Sequence, residues 1–179
     1  PPSPFPGPLV EGDHRTLPGT NESAAFRIRS DRGITVAQIS PMGGAPTHFP
    51  EGSLLLPVSS IGDDYIASSY DGLSATGYLG GHVLIVGTQE GTKITLPTGN
   101  EVEIDAFDVY DYVQIGGGDL SGSRFHADAP VAVFSGADCV FVPADGGDNL
   151  ACDHLEEQLV PLDSWGTSAV GVAVPDLSN

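Results

Sequence analysis

The residues with the clearest chemical potential lie in one stretch, which begins at Cys139 and ends at His154. Cys139 and Cys152 are the two cysteines of the chain, and they enclose a loop rich in glycine and aspartate. A disulfide closing such a loop contributes about 3 kcal/mol in the chain-entropy model. A metal site built from both cysteines and His154 is the alternative, but this set lacks a fourth ligand. The spacing therefore favours a Cys139–Cys152 disulfide.

Oxygen-bearing side chains inside the same loop suit a hard cation. Asp145, Asp148 and Asn149 surround two glycines, and calcium takes six or more oxygen ligands, of which this loop supplies only some. The alternative is an acidic, solvated turn, which is also how we interpret Asp63-Asp64 and the acidic cluster around Asp105 and Asp108. We expect no cofactor apart from this candidate Ca²⁺ site.

Scarce basic residues occupy matching positions in two similar segments. Arg27 and Arg124 lie 97 positions apart, as do Asp31 and Asp128. Because a guanidinium group pairs well with a carboxylate, we predict a structural ion pair within each segment, Arg27 with Asp31 and Arg124 with Asp128. Binding of a ligand carboxylate is the alternative.

Familiar catalytic patterns do not occur in this chain. There is no zinc-protease His-Glu-x-x-His, no Gly-x-Ser-x-Gly elbow and no phosphate loop, and the five histidines are scattered. We therefore expect a protein that is not an enzyme, with a hydrolase of unrecognised site as a remote alternative. Trp165 matches Ile61 at an offset of 104. An apolar residue at both positions predicts core packing rather than stacking on a sugar.

Composition limits the partners and the fold class. A net charge of −18 with only 6 lysines and arginines argues against nucleic acid and anionic membranes, and no apolar run reaches the length of a membrane span. Apolar runs of strand length, several of them alternating, are separated by turn signals rich in glycine and proline. They predict short strands, among others at 24–29, 92–96, 101–104, 123–126, 131–135 and 139–142. The expected fold is all-β, an antiparallel sandwich or barrel-like arrangement, with at most one helical turn at 155–159.

The similar segments indicate an internal repeat of about 100 residues. Arg27 to Val36 matches Arg124 to Val133 at an offset of 97, and Leu55-Leu56-Pro57 matches Leu159-Val160-Pro161 at 104. We predict three parts: a proline-rich extended arm at 1–20, a partial β unit at 21–77 that repeats only the second half, and a complete unit at 78–179. One copy of the repeat is thus incomplete, and its missing strands would come from a longer protein or from a neighbouring chain.

Several motifs resemble the amino-terminal domain of IgGFc-binding proteins. The resemblance covers most of residues 24–175, and the segments that carry it include 27–31, 119–123, 130–136 and 152–158. It implies an extracellular binding or adhesion module of a surface or secreted protein. The family includes bacterial surface proteins, and the resemblance is to a member of that kind. It transfers no catalytic residue and no mapped ligand site.

Two functions follow as hypotheses. The first is a non-enzymatic adhesion module at the cell exterior, with a protein or glycan ligand. The second is a structural subunit of a surface appendage or filament, assembled from copies of itself by exchange of a strand or of the proline-rich arm. Neither requires insertion into a membrane.

Overall fold

The computed structural model describes residues 25–40, 51–71, 80–113, 118–140 and 153–171. These residues form β-strands and two short 3₁₀ turns, at Val58–Ser60 and Leu162–Ser164, with no α-helix among them. The described strands are β1 (Val36–Ser40), β2 (Glu51–Leu55), β3 (Gly62–Ile66), β4 (Gly81–Gly87), β5 (Thr92–Thr95), β6 (Glu101–Ile104), β7 (Val109–Val113), β8 (Arg124–Val140) and β9 (Asp153–Gln158). Within the described ranges, no helix is long and apolar enough to cross a membrane.

Strand β8 organises a seven-stranded antiparallel sheet. Along one edge it pairs first with β3 and then with β9, and along the other edge it pairs first with β5 and then with β4. Pro130, which has no amide hydrogen to donate, lies near the point where the partners change on both edges. The 17 residues of β8 therefore serve two pairs of neighbours in succession.

Strands β4 to β7 form one long hairpin that bends at a corner. One arm of the hairpin consists of β4 and β5, and the other consists of β6 and β7. β4 pairs with β7, and β5 pairs with β6. At the corner the Phe107 amide donates to the Gly87 carbonyl at 2.9 Å, and the Gly87 amide donates to the Asp108 carbonyl at 3.0 Å. A Cβ on Gly87 would lie 2.2 Å from the Asp105 carbonyl oxygen, so this close approach requires glycine.

The hydrophobic core lies on one face of this sheet. Alternate residues of a strand point to the same face, and the core residues of β4 and β8 follow that rule. Phe125 is fully buried, and its ring meets that of Tyr112 edge to face with centroids 5.3 Å apart. The cluster comprises Tyr65, Ala67, Val83, Ile85, Ile94, Leu96, Ile104, Leu120, Phe125, Ala127, Val131 and Val133.

Strands β1 and β2 form a separate two-stranded antiparallel sheet that lies against β9. We call it the β1–β2 hairpin. Side chains of β2 accept hydrogen bonds from backbone amides of β9. The Glu51 carboxylate accepts from the Glu156 amide at 2.6 Å, and the Ser53 hydroxyl accepts from the Gln158 amide at 2.8 Å. In return, the Gln158 side chain accepts from the Leu56 amide at 2.6 Å. These bonds occupy backbone donors that an edge strand would otherwise expose.

The prediction of an all-β antiparallel fold is confirmed. The helical turn considered at 155–159 is wrong, because those residues continue β9 and its end. The repeat, and the division at residues 20 and 77, remain predictions. The arm at 1–20 lies outside the described residues, and β3, from the predicted partial unit, pairs with β8 of the other.

Candidate binding surface

Arg124 forms an ion pair, but its partner differs from the predicted one. Its guanidinium donates through both Nε and Nη2 to the carboxylate of Asp64, with Nε 2.8 Å from Oδ1. Asp128, the predicted partner, accepts from the Lys93 amide at 2.9 Å instead. The register explains this correction, because β3 places Ile66 opposite Arg124 and Asp64 opposite His126 on the neighbouring strand. The hydrogen bonds from Arg124 lower the pKa of Asp64 below its usual value.

The first predicted ion pair is not formed. Arg27 and Asp31 are both exposed, and within the described ranges the ion pair between side chains is that of Arg124 with Asp64. The segment that carries Arg27 was expected to be a strand, and residues 25–30 contain none. Arg27, Arg29 and Arg32 therefore present charge to solvent immediately before β1.

The predicted disulfide and calcium sites fall largely outside the described residues. Cys139 is buried in β8, and the described part of the chain contains no free cysteine. Cys152 lies beyond that part, so its bond to Cys139 stays a prediction. Asp145, Asp148 and Asn149 are also outside, and the Ca²⁺ site likewise stays a prediction.

The acidic cluster at the hairpin corner has a structural use. Asp105 accepts from the Gly91 amide at 2.9 Å, and Asp108 accepts from the Asp105 amide at 3.2 Å. The charge of Asp105 raises the pKa of the neighbouring Glu90 carboxyl. These carboxylates stabilise the bend by accepting backbone hydrogen bonds, and among the described residues no group of three or more acidic, histidine or cysteine side chains could hold a metal.

Trp165 is exposed, contrary to the prediction of core packing. Its side chain is 57% accessible to solvent, and its indole amine donates to the Val160 carbonyl at 3.1 Å. That bond holds the indole beside the 3₁₀ turn that follows β9, and more than half of the residue stays open to solvent. The apolar match with Ile61 suggested burial because residue type alone does not report which neighbours cover a side chain.

The large exposed apolar side chains lie outside the main sheet. In the described residues they fall in two segments, one before β3 and one after β9, and none lies in strands β3 to β9. The second segment lies against the start of β3, where a Cβ on Gly62 would meet Pro161 at 2.7 Å. We name the second segment, residues 160–170, the tryptophan segment. The exposed residues are Phe26, Ile34, Ile39, Leu54, Val58, Val160, Trp165 and Val170.

Two polar side chains of β9, which the sequence analysis did not single out, hold the β1–β2 hairpin against the main sheet. Glu156 and Gln158 are buried polar residues, and the Gln38 side-chain amide donates to the Glu156 carboxylate at 2.6 Å. The signal available was two polar side chains at alternate positions of one strand, which marks a shared face. Their partners lie more than 100 positions away and could not be read from the local pattern.

Together, the described residues form an all-β scaffold that exposes apolar and aromatic side chains beside its main sheet. A family model described as IgGFc binding protein matches residues 51–179, so this chain belongs to that family. The chain is also 29% identical over 167 residues to the human IgGFc-binding protein. This alignment covers 87% of the present chain but only 3% of the human protein. No solved structure matches.

Proposed function

We propose that this chain is a non-enzymatic binding module that acts outside the cell, in adhesion, with a protein as its ligand. Membership of the IgGFc-binding family supports an extracellular binding role. The chain matches a small part of its human relative, so the ligand of that protein is not transferred to it. The proposed disulfide between Cys139 and Cys152 suits an oxidising exterior.

Exposure of Trp165 is the observation that carries the proposal. Tryptophan is among the residues that contribute most to protein interfaces, because a large rigid side chain can be buried at low entropic cost. Here the indole is fixed by its bond to the Val160 carbonyl. Val160 and Val170 add exposed apolar surface to the same segment. We therefore place the adhesive contact on the tryptophan segment.

Binding to a panel of secreted and cell-surface proteins, antibody constant regions included, tests the proposal. We expect at least one ligand with saturable binding, and a loss of more than tenfold in its affinity for the Trp165→Ala variant, as for a residue that dominates an interface. Val58→Ala is the matched control, because Val58 is equally exposed but lies outside the segment. Absence of any ligand, or equal losses for both variants, would contradict the proposal.

A structural subunit joined to its neighbours through strand exchange is the second candidate. The observation that favours it is β1, which pairs only with β2 among the described residues. Sedimentation over a range of concentrations separates the two functions, because a subunit of this kind self-associates and a binding module stays monomeric.

A further inference from the structure

The β1–β2 hairpin and the β8–β9 pair have the same strand register. Adding 97 to each β1 residue number and 104 to each β2 residue number converts the β1–β2 pairs into observed β8–β9 pairs. Gln38 opposite Ser53, for example, becomes Ser135 opposite Glu157. The corresponding pairs are Ala37–Leu54 with Phe134–Gln158, Gln38–Ser53 with Ser135–Glu157, Ile39–Gly52 with Gly136–Glu156, and Ser40–Glu51 with Ala137–Leu155.

The correspondence continues on both sides of these pairs. The next pair, Val36 with Leu55, corresponds to Val133 and Leu159, and the Leu159 amide donates to the Val133 carbonyl at 2.8 Å. After each second strand a proline precedes a 3₁₀ turn, with φ −62° and ψ 148° at Pro57, and φ −66° and ψ 154° at Pro161. Since a slip of one residue would break every pair, we infer that the two strand pairs are copies of one unit.

Among the described residues, strand β8 has two contacts that its copy β1 lacks, one with strand β4 and one with a carboxylate. The edge of β8 opposite β9 is occupied by β4, whereas β1 has no second strand among the described residues. Arg124 has the Asp64 carboxylate, whereas its counterpart Arg27 is exposed and without an ion pair in those residues. Ile39, at the open edge, is 52% exposed. Within the described ranges, β1 therefore resembles β8 without the neighbouring strand β4 and without the Asp64 carboxylate.

We propose that residues 27–40 are a docking edge for an extended polypeptide segment from a partner protein. The segment pairs antiparallel with β1, as β4 does with β8, and carries alternating β-branched residues with carboxylates towards its carboxyl end. Antiparallel pairing places that end beside Arg27, Arg29 and Arg32. These are three of the 6 basic residues in a chain of net charge −18. Residues 27–40 therefore concentrate positive charge, which is complementary to the carboxylates of an acidic strand.

A folded second copy does not meet this description. Its β4 strand is already paired on both edges, with β8 and with β7, and so has no free backbone groups to offer. The partner is therefore a segment that is extended before it binds, as in other cases of strand addition to a sheet edge. The docking edge is separate from the tryptophan segment.

The probe is a synthetic peptide with the sequence of residues 80–90, which contains β4 and ends at Glu90, extended by two glutamates. Its binding to the full chain at physiological salt is followed by fluorescence anisotropy, and hydrogen exchange locates the site. We expect saturable binding and slower exchange at residues 36–40. Arg27→Glu is expected to weaken binding at least fivefold, and Ile39→Asp to weaken it similarly.

Lys93→Glu is the matched control, because it makes the same charge change at an exposed position on β5, and its affinity should stay within twofold of wild type. Circular dichroism confirms that each variant is folded. No saturable binding, equal losses for Arg27→Glu and Lys93→Glu, protection outside residues 27–40, or dimerisation of the chain in place of peptide binding would each overturn the proposal. Trp165→Ala should leave peptide affinity unchanged, so this test can fail while the adhesive function stands.

Discussion

The hydroxyl of Tyr65 bridges an irregularity in the main sheet. Tyr65 is 1% exposed, and its hydroxyl accepts from the Gly62 amide and donates to the Val131 carbonyl, each at 2.8 Å. Gly62 lies opposite Val131, but the register shifts before Asp64 meets His126. The hydroxyl therefore joins two backbone groups at a β-bulge, where ladder bonds are interrupted.

Tyr65→Phe keeps the buried ring and removes both hydrogen bonds. A buried donor or acceptor left without a partner costs about 1–3 kcal/mol, and we expect a net loss of about 2 kcal/mol in the free energy of unfolding. With a urea dependence of about 2 kcal/mol per molar, the midpoint of unfolding falls by about 1 M. Far-ultraviolet circular dichroism in urea measures this shift.

Tyr70→Phe is the control, since Tyr70 is half-buried and has no side-chain hydrogen bond within the described ranges. Its midpoint should move by less than about 0.3 M, as expected for a substitution that removes no specific contact. If Tyr65→Phe unfolds at the same urea concentration as Tyr70→Phe, the hydroxyl bridge does not stabilise the sheet and the reasoning is refuted.

The same residue predicts a pH dependence. Burial, and next the nearby charges of Asp163 and Asp63, raise the pKa of Tyr65 above its usual value of about 10. The folded state therefore favours the neutral phenol, and its contribution is fully present below about pH 10. It is lost as the pH rises towards the higher pKa of the folded state. Wild type should lose stability in this alkaline range more steeply than Tyr65→Phe.

Two further substitutions test the packing and the corrected ion pair. Gly136→Ala would place a Cβ 1.7 Å from the Leu155 carbonyl oxygen, so we expect a loss of about 3 kcal/mol or more in urea unfolding, whereas Gly33→Ala meets nothing within 4 Å and should be neutral. Asp64→Asn should lower the urea midpoint at pH 7 by less than about 0.5 M, because the pair is near the surface. Arg124 lowers the pKa of Asp64, so this difference should persist above about pH 4 and vanish as the pH falls through the lower pKa of the folded state. Asp31 is exposed and has no ion pair within the described ranges, so an equal effect from Asp31→Asn would contradict the assignment.

Local pattern was sufficient to predict the fold class and several strands. Glu101–Ile104 was predicted as a strand with these same bounds, and the alternation that begins at Thr92 predicts β5. Alternation works because successive side chains of a strand face opposite sides, so its period is visible within a few residues. The proline and glycine content likewise marks turns, since these residues have restricted or unusual backbone preferences.

Interactions between distant segments required the tertiary structure. The partner of Arg124 is 60 positions away, and the hairpin contacts of Glu156 and Gln158 span more than 100. The separate apolar runs predicted on the two sides of Pro130 belong to the single strand β8. The strand continues through the proline because neighbouring strands pair with it on both edges beyond that residue.

The sequence by itself determined an all-β chain with a repeated pattern of arginine, aspartate and apolar residues, since these are properties of residue order. Only the tertiary structure decided that Trp165 is exposed, that Arg124 pairs with Asp64, and that β1 keeps one edge open within the described residues. The physical reason is that burial and pairing depend on which surfaces meet, and strands far apart in sequence supply those surfaces here.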